Sequence, residues 1–318
     1  MNIYISGSIG YDEIMDFPGH FKDYFHPEKL HQINVSFAVA RLSKHVGGIA
    51  TNIAYAISQL NSKINIYPVG AVGKDGGDVI AFFKKNKIAV DYIQTIDDLY
   101  TTTGKVITDM NDNQIWGYYY GASAKLNPTF LTQTSQTKSL WVLSATHEKP
   151  FSAILRYCIA NKIPYLFDPG MTLTWIRDDM LKKGVLNAAY LVGNDYEMAM
   201  IEKRLTIKIE DVVRKGVNVI TTLGEKGVRA LIPSARNAHA TITVSPFKVR
   251  KVVDPTGAGD AWRGGFVSGI AEGLPVEECL KLGNVMGSMA VEQVGTVTYT
   301  ATKEEIKKRM EKIKVKKT

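Results

Sequence analysis

Short apolar stretches that alternate with helical ones constrain this chain more than any other feature. Ile3 to Ser6, Ile64 to Val72, Leu140 to Ser144, Tyr165 to Asp168, Tyr190 to Gly193 and Val217 to Thr222 are rich in β-branched and aromatic side chains. Short, nearly continuous apolar runs of this kind suit strands buried on both faces. Between them lie Gly48 to Leu60, Asp78 to Asn86 and Phe151 to Asn161, which read as helices. In the first, Ile49, Ile53, Ala56, Ile57 and Leu60 share one side. The alternation predicts an α/β fold with a mostly parallel central sheet between two helical layers. A chain of 318 residues is ordinary for one such domain with a small appendage.

Two segments break the rhythm. From about Asp12 to His45, the run Gln32 to Arg41 is β-prone and no helix follows it. From about Thr101 to Gly121, Thr102 to Thr108 and Gln114 to Tyr120 flank Asp109-Met110-Asn111-Asp112-Asn113, a strong hairpin signal. Both are expected to form a small β-strand lid inserted in a single domain spanning 1–318. The edge strands of such a lid invite pairing into a homodimer.

Composition and charge narrow the function classes. With 45% hydrophobic and 22% charged residues the chain is globular and not disordered. Cys158 and Cys279 stand in apolar helical stretches without metal-ligand spacing, as buried reduced thiols do. The first residues read as a strand and not as a signal peptide, and no apolar run reaches the ~18 residues of a membrane span. A cytoplasmic location is therefore expected. From Lys303 onward eight Lys/Arg face three Glu, which concentrates much of the net charge of +8. Thr302 and Glu305 make a capping box, and Ile306, Met310 and Ile313 follow at helical spacing. The run reads as a terminal helix with a solvated basic face. No nucleic-acid motif accompanies it, so neither nucleic acid nor membrane is expected as a partner. If the segment is peripheral, truncation after about Thr302 should spare activity.

The densest chemical signal is Val252-Val253-Asp254-Pro255-Thr256-Gly257-Ala258-Gly259-Asp260-Ala261-Trp262-Arg263-Gly264-Gly265-Phe266. A glycine-rich turn that enters a helix offers free backbone N–H groups at the positive end of the dipole, which makes an anion hole. Gly257 and Gly259 let the backbone come close to a phosphoryl group. Asp260 stands where a carboxylate can take the proton of an attacking hydroxyl. By spacing alone the same residues also make a tight turn with Asp260 as a helix cap.

The sequence Asp254-Pro255-Thr256-Gly257-Ala258-Gly259-Asp260 resembles the C-terminal signature of the ribokinase-like, or phosphofructokinase-B, carbohydrate kinases. The resemblance implies a three-layer α/β/α sandwich, Asp260 as catalytic base, and an anion hole from Gly257, Ala258 and Gly259. Gly47-Gly48-Ile49-Ala50-Thr51-Asn52 resembles the family's sugar-contacting motif, which implicates Gly48 and Asn52. Asn194-Asp195-Tyr196-Glu197 is similar to its Asn-x-x-Glu motif. That similarity implies Asn194 and Glu197 near Mg²⁺ through water, with Asn194 also near the nucleotide. Thr222-Leu223-Gly224-Glu225-Lys226-Gly227 resembles the strand-turn that approaches ATP, which implicates Thr222, Gly224 and Gly227. Asn284 lies on the following helix, where adenine is often met. Gly7-Ser8-Ile9-Gly10-Tyr11-Asp12 resembles the strand end whose carboxylate grips a sugar diol; Asp12 is the choice and Asp16 its rival. ATP and Mg²⁺ are the implied cofactors, with room for activation by a monovalent cation such as K⁺. Trp262 departs from the smaller aromatics common after the signature, and a locally different packing is expected there.

Two stretches tilt the acceptor toward a nucleoside. Met15-Asp16-Phe17-Pro18-Gly19 with Asn34-Val35-Ser36-Phe37 looks like the lid of the archaeal and bacterial nucleoside kinases of this family, the adenosine-kinase type. So does Asp112-Asn113-Gln114 with Tyr118-Tyr119-Tyr120. Aromatic rings with amide neighbours can stack on a base and bond its edge, and Phe37, Gln114 and Tyr118 are the expected contacts. The same rings can instead pair with one another across the lid. A sugar phosphate needs a cationic clamp, for which Arg41 and Lys44 are the candidates. A non-catalytic sensor on the same fold is the reading from another class, and the intact Asp260 and glycine loop disfavour it.

Overall fold

Ile3 and Ile5 of the first strand enter one packing cluster, while Tyr4 between them enters another, and all three are buried. Side chains alternate across a strand, so a strand apolar at every position must be covered on both sides. The computed structural model describes residues 1–60, 63–134, 138–234 and 239–318. In chain order the strands are β1 (Asn2–Ser6), β2 (Gly10–Asp16), β3 (Arg41–Gly47), β4 (Asn65–Gly73), β5 (Ile93–Ile96), β6 (Thr102–Thr108), β7 (Gln114–Tyr119), β8 (Ser139–Leu143), β9 (Tyr165–Phe167), β10 (Tyr190–Asn194), β11 (Asn218–Thr222), β12 (Val228–Ile232), β13 (Ala240–Val244) and β14 (Val315–Lys317). The α-helices are α1 (Ile49–Gln59), α2 (Gly77–Lys85), α3 (Glu148–Ala160), α4 (Asp178–Leu186), α5 (Asp195–Leu205), α6 (Ile209–Arg214), α7 (Ala258–Ala271), α8 (Val276–Ala290) and α9 (Lys303–Lys312).

The main sheet runs β14-β13-β12-β11-β10-β9-β8-β1-β4-β5. From β11 to β5 all neighbours are parallel, and β12, β13 and β14 add an antiparallel margin. On one face Leu140, Val142 and Ile220 pack with α1, α2, α7 and α8. On the other, Trp141, Tyr165, Phe167 and Val219 pack with α3, α4, α5 and α6. The α/β/α layering is the one expected. Both cysteines are buried, and burial pushes the Cys279 thiol up to about 12 and the Cys158 thiol well above its ordinary value. Among the described residues no helix is long and apolar enough to cross a membrane.

A second sheet, ordered β3-β2-β6-β7, comes from the two segments that interrupt the rhythm. The expected hairpin is β6–β7. The run from Gln32 to Arg41 corrects the expectation: the ladder begins only at Arg41, and residues 33–40 are irregular. Ala40 N still donates to Asp16 O at 2.8 Å, and Phe37 attaches the segment by its side chain. Phe37 packs among Phe17, Phe21, Tyr24 and Phe25, with ring centroids 4.8 to 6.1 Å away. Asp109 in the hairpin turn accepts hydrogen bonds from Phe21 N and Asn113 N, which ties this aromatic cluster to the β6–β7 tip.

The basic C-terminal run is part of the fold and not a peripheral tail. Thr302 Oγ1 caps α9 by accepting from Glu305 N, as the sequence predicts. Beyond the helix, β14 adds the last strand to β13. Arg309 is buried; its guanidinium donates to Ser288 Oγ and pairs with Glu292 and Glu305 at 2.7 and 2.8 Å. It also stacks on Phe247. Removing one partner of a buried ion pair leaves uncompensated charge, at a cost of about 3 kcal/mol or more. Arg309→Ala is accordingly expected to lower the thermal midpoint by several degrees, and deletion from Lys303 onward to prevent stable folding. Thermal unfolding followed by circular dichroism checks both, and a midpoint unchanged within one degree for Arg309→Ala contradicts the integral role.

Candidate active site

The carboxyl ends of the parallel strands bring the polar motifs together. β1 leads to Ser8, β8 to Ser144, β9 to Asp168, while β10 and β11 end in register at Asn194 and Thr222. Ligands of open parallel α/β sheets bind outside these ends. Ser8 Oγ accepts from Ile49 N at the start of α1, so the first strand positions the helix that carries Asn52. Gly48 precedes that helix with φ +92°. Gly47 faces β2 so closely that a side chain there would displace the Asp12 carboxylate.

The signature loop is shaped by Asp254. Its oxygens accept from Thr256 N at 2.9 Å and Gly295 N at 3.0 Å, and these bonds hold its carboxyl below the usual carboxylate range against the opposing effect of burial. Gly257 caps α7 with φ +75°, a backbone state that favours glycine. A side chain there would also strike Thr296. Ala258, Gly259 and Asp260 follow as the first turn, whose amides lack intrahelical acceptors, with Ala258 N donating to Pro255 O at 3.2 Å from outside the helix.

Asp260 is held from across the fold. Asn52 Nδ2 on α1 donates to its Oδ2 at 2.8 Å. Burial pushes the Asp260 carboxyl up to about 6, with Arg263 and the Asn52 bond opposing and Asp168 and Asp12 adding to the rise. Asp12 is likewise pushed up to about 6 by burial, opposed by His45 across the β2–β3 ladder. Raised carboxyl pKa values in a cleft suit proton transfer near neutral pH.

Asp12, Asn52, Gly48, Gly257 and Asp260 line one cavity of about 220 Å³. This is below the roughly 300–1,000 Å³ of drug-sized ligand pockets and suits a small acceptor. Of the two candidate carboxylates Asp12 lines this cavity, while Asp16 is exposed at the far end of β2. The second sheet supplies an aromatic wall: Trp116 and Tyr118 stack at 5.4 Å and 6°, and Tyr120 joins them in the lining. Met171 and Trp175, beyond the end of β9, face in from the main domain. Trp116 stands two residues before Tyr118 on β7, and the period of two along a strand is the signal that could have found it. Met171 and Trp175 follow a strand end, but nothing in their local pattern marks them.

Phe37 and Gln114 stand outside this lining. Phe37 is engaged in its own aromatic cluster, and Gln114 accepts from Trp116 Nε1 at 3.0 Å, which holds it at the edge of the wall. Arg41 and Lys44 are also absent from the lining; Lys44 lies over the Tyr11 ring and beside Glu13. Among the described residues the cavity is lined by no Lys or Arg.

At the end of β10, Asn194 and Glu197 form a reciprocal cap at the start of α5. Asn194 Oδ1 accepts from Glu197 N and Asn194 N donates to Glu197 Oε2, both at 2.8 Å. One carboxylate oxygen is thus taken by the cap. Among the described residues no cluster of three His, Cys, Asp or Glu is placed to hold a metal ion. The donor set fits a hard cation held through water with phosphate oxygens completing its shell. Gly224 and Gly227 turn β11 into β12, with Leu223 N donating to Gly227 O at 2.8 Å. Asn284 does not offer a free amide: its Oδ1 accepts from Trp262 Nε1 and its Nδ2 donates to Ser245 O, each at 2.8 Å. Trp262 itself stacks on Phe266, the packing role its departure from the pattern implies.

Comparison with known proteins agrees with this geometry. The description of the pfkB family carbohydrate kinases matches residues 19–303. The nucleoside kinase of Methanocaldococcus jannaschii is 28% identical over 301 residues, covering 92% of this chain and 95% of that protein. The ribokinase of Bacillus subtilis is 25% identical over 266 residues, covering 82% and 86%. The structure of Burkholderia thailandensis nucleoside kinase in complex with inosine superposes with a TM-score of 0.85 at 27% identity, covering 98% and 97%. The chain belongs to the pfkB family and is an ATP-dependent kinase of the ribokinase-like fold.

Proposed function

We propose that this kinase transfers the γ-phosphoryl group of ATP to the 5′-hydroxyl of a nucleoside. The observation that carries the reading is the make-up of the cavity: partly buried carboxylates and a buried amide at one end, an aromatic wall at the other, and no cation among the described lining residues. The polar end suits a ribose and the rings suit a base. A phosphorylated sugar would meet no cationic partner there. The similarity to the Methanocaldococcus and Burkholderia nucleoside kinases supports this acceptor. A free sugar such as ribose is the second reading, favoured by the similarity to the Bacillus ribokinase.

In this mechanism Asp12 accepts hydrogen bonds from the ribose diol. Asn52 Oδ1, which has no hydrogen-bond partner among the described residues though buried, accepts from a ribose hydroxyl. The second sheet acts as a lid that closes over the acceptor and excludes water, which suppresses ATP hydrolysis. Asp260 takes the 5′-hydroxyl proton as the oxygen–phosphorus bond forms. The bond from the γ-phosphorus to the bridging oxygen breaks, and ADP leaves with its electron pair. The amides of Gly257, Ala258 and Gly259 stabilise charge on the transferred group. A Mg²⁺ ion held through water by Asn194 and Glu197 would neutralise phosphate charge. The outer face of the lid carries Leu42, Met15, Ile107 and Ile115 in register, a surface suited to a second copy of the chain.

Asp260→Asn is expected to fold and bind nucleoside while kcat falls by about 10²–10⁴-fold; turnover within threefold of wild type would sink the base assignment. Trp116→Ala is expected to lower kcat/KM for inosine at least tenfold and leave that for ribose nearly unchanged, measured by ADP release. Equal losses for both acceptors contradict the aromatic wall as a base site. Wild-type kcat/KM should fall below about pH 6, since Asp12 and Asp260 are useful only when ionised and burial raises the proton affinity of both. A profile flat from pH 5 to 8 contradicts this.

A further inference from the structure

One turn beyond Asp260 on α7, Arg263 lies outside the acceptor cavity and has no part in the chemistry described above. Its side chain is 12% exposed. Its Nε lies 2.6 Å from Asp168 Oδ2, and its Nη2 donates to Asp168 Oδ1 at 2.6 Å. Asp168, at the end of β9, is 2% exposed and is held in turn by Ser144 Oγ, which donates to it at 2.9 Å from the end of β8. The guanidinium is therefore anchored at one side by two strand ends. Its remaining nitrogen turns the other way: Nη1 is 3.9 Å from Asp260 Oδ1, and a methyl group on Gly259 would sit 2.7 Å from it. The cation thus rests against the first turn of α7, beside the carboxylate that Asn52 holds from above.

The charged surroundings give this placement a consequence. Asp260 feels Arg263 on its own helix, Asp168 from β9 and Asp12 from β2, and Tyr299 packs near it from the segment before α9. Glu197 at the start of α5 adds its field to that of Asp168 at Arg263. Of these, Asp168 and Asp12 act on Asp260 in the same direction as burial, toward its protonated form. A base must be ionised before it can accept a proton. After burial itself, Arg263 is the strongest influence on Asp260, and it acts in favour of the carboxylate. Two nitrogens of the guanidinium lie against Asp168, and the third stands at ion-pair distance from Asp260 without a hydrogen bond to it.

We infer that the Asp168–Arg263 pair is a charge clamp that holds Asp260 in its ionised, proton-accepting form at the anion hole, with Arg263 as a positioning residue. The inference rests on the reading of Asp260 as the base. Its test is the pH dependence of kcat at saturating ATP and acceptor, using the acceptor that the wild-type enzyme turns over fastest. In Arg263→Gln the acid limb should move up by about one pH unit, a tenfold change in proton affinity. Turnover should fall about tenfold on that limb and recover largely at pH 9, with KM for ATP within threefold of wild type. Arg263→Lys, which keeps the charge, should restore the limb at least halfway. Should Arg263→Gln fail to fold, the double variant Asp168→Asn with Arg263→Gln leaves Asp168 no unpaired charge and should shift the limb in the same direction by less. A uniform loss at every pH, or a tenfold rise in KM for ATP with kcat unchanged, overturns the clamp. Asp260→Asn, measured alongside, separates the two claims. If it turns over normally, the base reading falls and takes the clamp with it. If it is inactive while the limb of Arg263→Gln stays in place, the clamp alone is wrong.

Discussion

The hydrogen bond from Asn52 to Asp260 joins residues 208 positions apart, and the chemistry of the site depends on it. It forms only because α1 and α7 pack closely on the same face of the sheet. Gly264 on α7 lies against Ala56 and the carbonyl of Ile53, leaving no room for a larger side chain. α1 is itself set by Ser8 at the end of β1, and α7 by the Asp254 turn. A parallel sheet buried on both faces is thus what allows two helix starts to meet over one carboxylate. The Asn52 side-chain amide replaces part of the water that Asp260 loses on burial.

Burial has opposite consequences at the two ends of the cavity. At the polar end it raises the proton affinity of Asp12 and Asp260, which brings both into the range useful for accepting hydrogen bonds and protons near neutral pH. At the other end the lining is the rings of Trp116, Tyr120 and Trp175, which carry no charge for burial to penalise. The second sheet joins the two functions in one element. β2 carries Asp12, while β7 carries Trp116 and Tyr118, and β6 pairs with both strands. Movement of that sheet would bring the diol contact and the aromatic wall onto an acceptor together.

Local features were legible in the amino-acid order and distant ones were not. The loop from Asp254 to Asp260, the Gly47-Gly48 turn and the β6–β7 hairpin each lie within a few residues of chain, where turn chemistry speaks directly. The alternation of strands and helices disclosed the layering, because it reports burial on both faces. Asp168 and Arg263 carry no local signature. A carboxylate at the end of a parallel strand and an arginine three residues beyond Asp260 acquire meaning only once β9 and α7 are adjacent. The run from Gln32 to Arg41 misled for a related reason: its β-branched and aromatic residues favour a strand, but Phe37 gains more by joining four other rings than by pairing. At the C terminus the apolar stripe of α9 was legible at helical spacing, while the strand that follows it and pairs with β13 was not. Asn284 is a polar residue at a familiar position whose amide Trp262 has engaged.

The central claim is that one cavity is built for a sugar joined to a base. Initial rates of the wild-type kinase with inosine and with ribose, under equal ATP and Mg²⁺, test it most directly, with the phosphorylated position read by ³¹P NMR. The account predicts a kcat/KM at least tenfold higher for inosine and a 5′-monophosphate as its product. A higher kcat/KM for ribose, or a nucleoside phosphorylated elsewhere than the 5′ position, would contradict it.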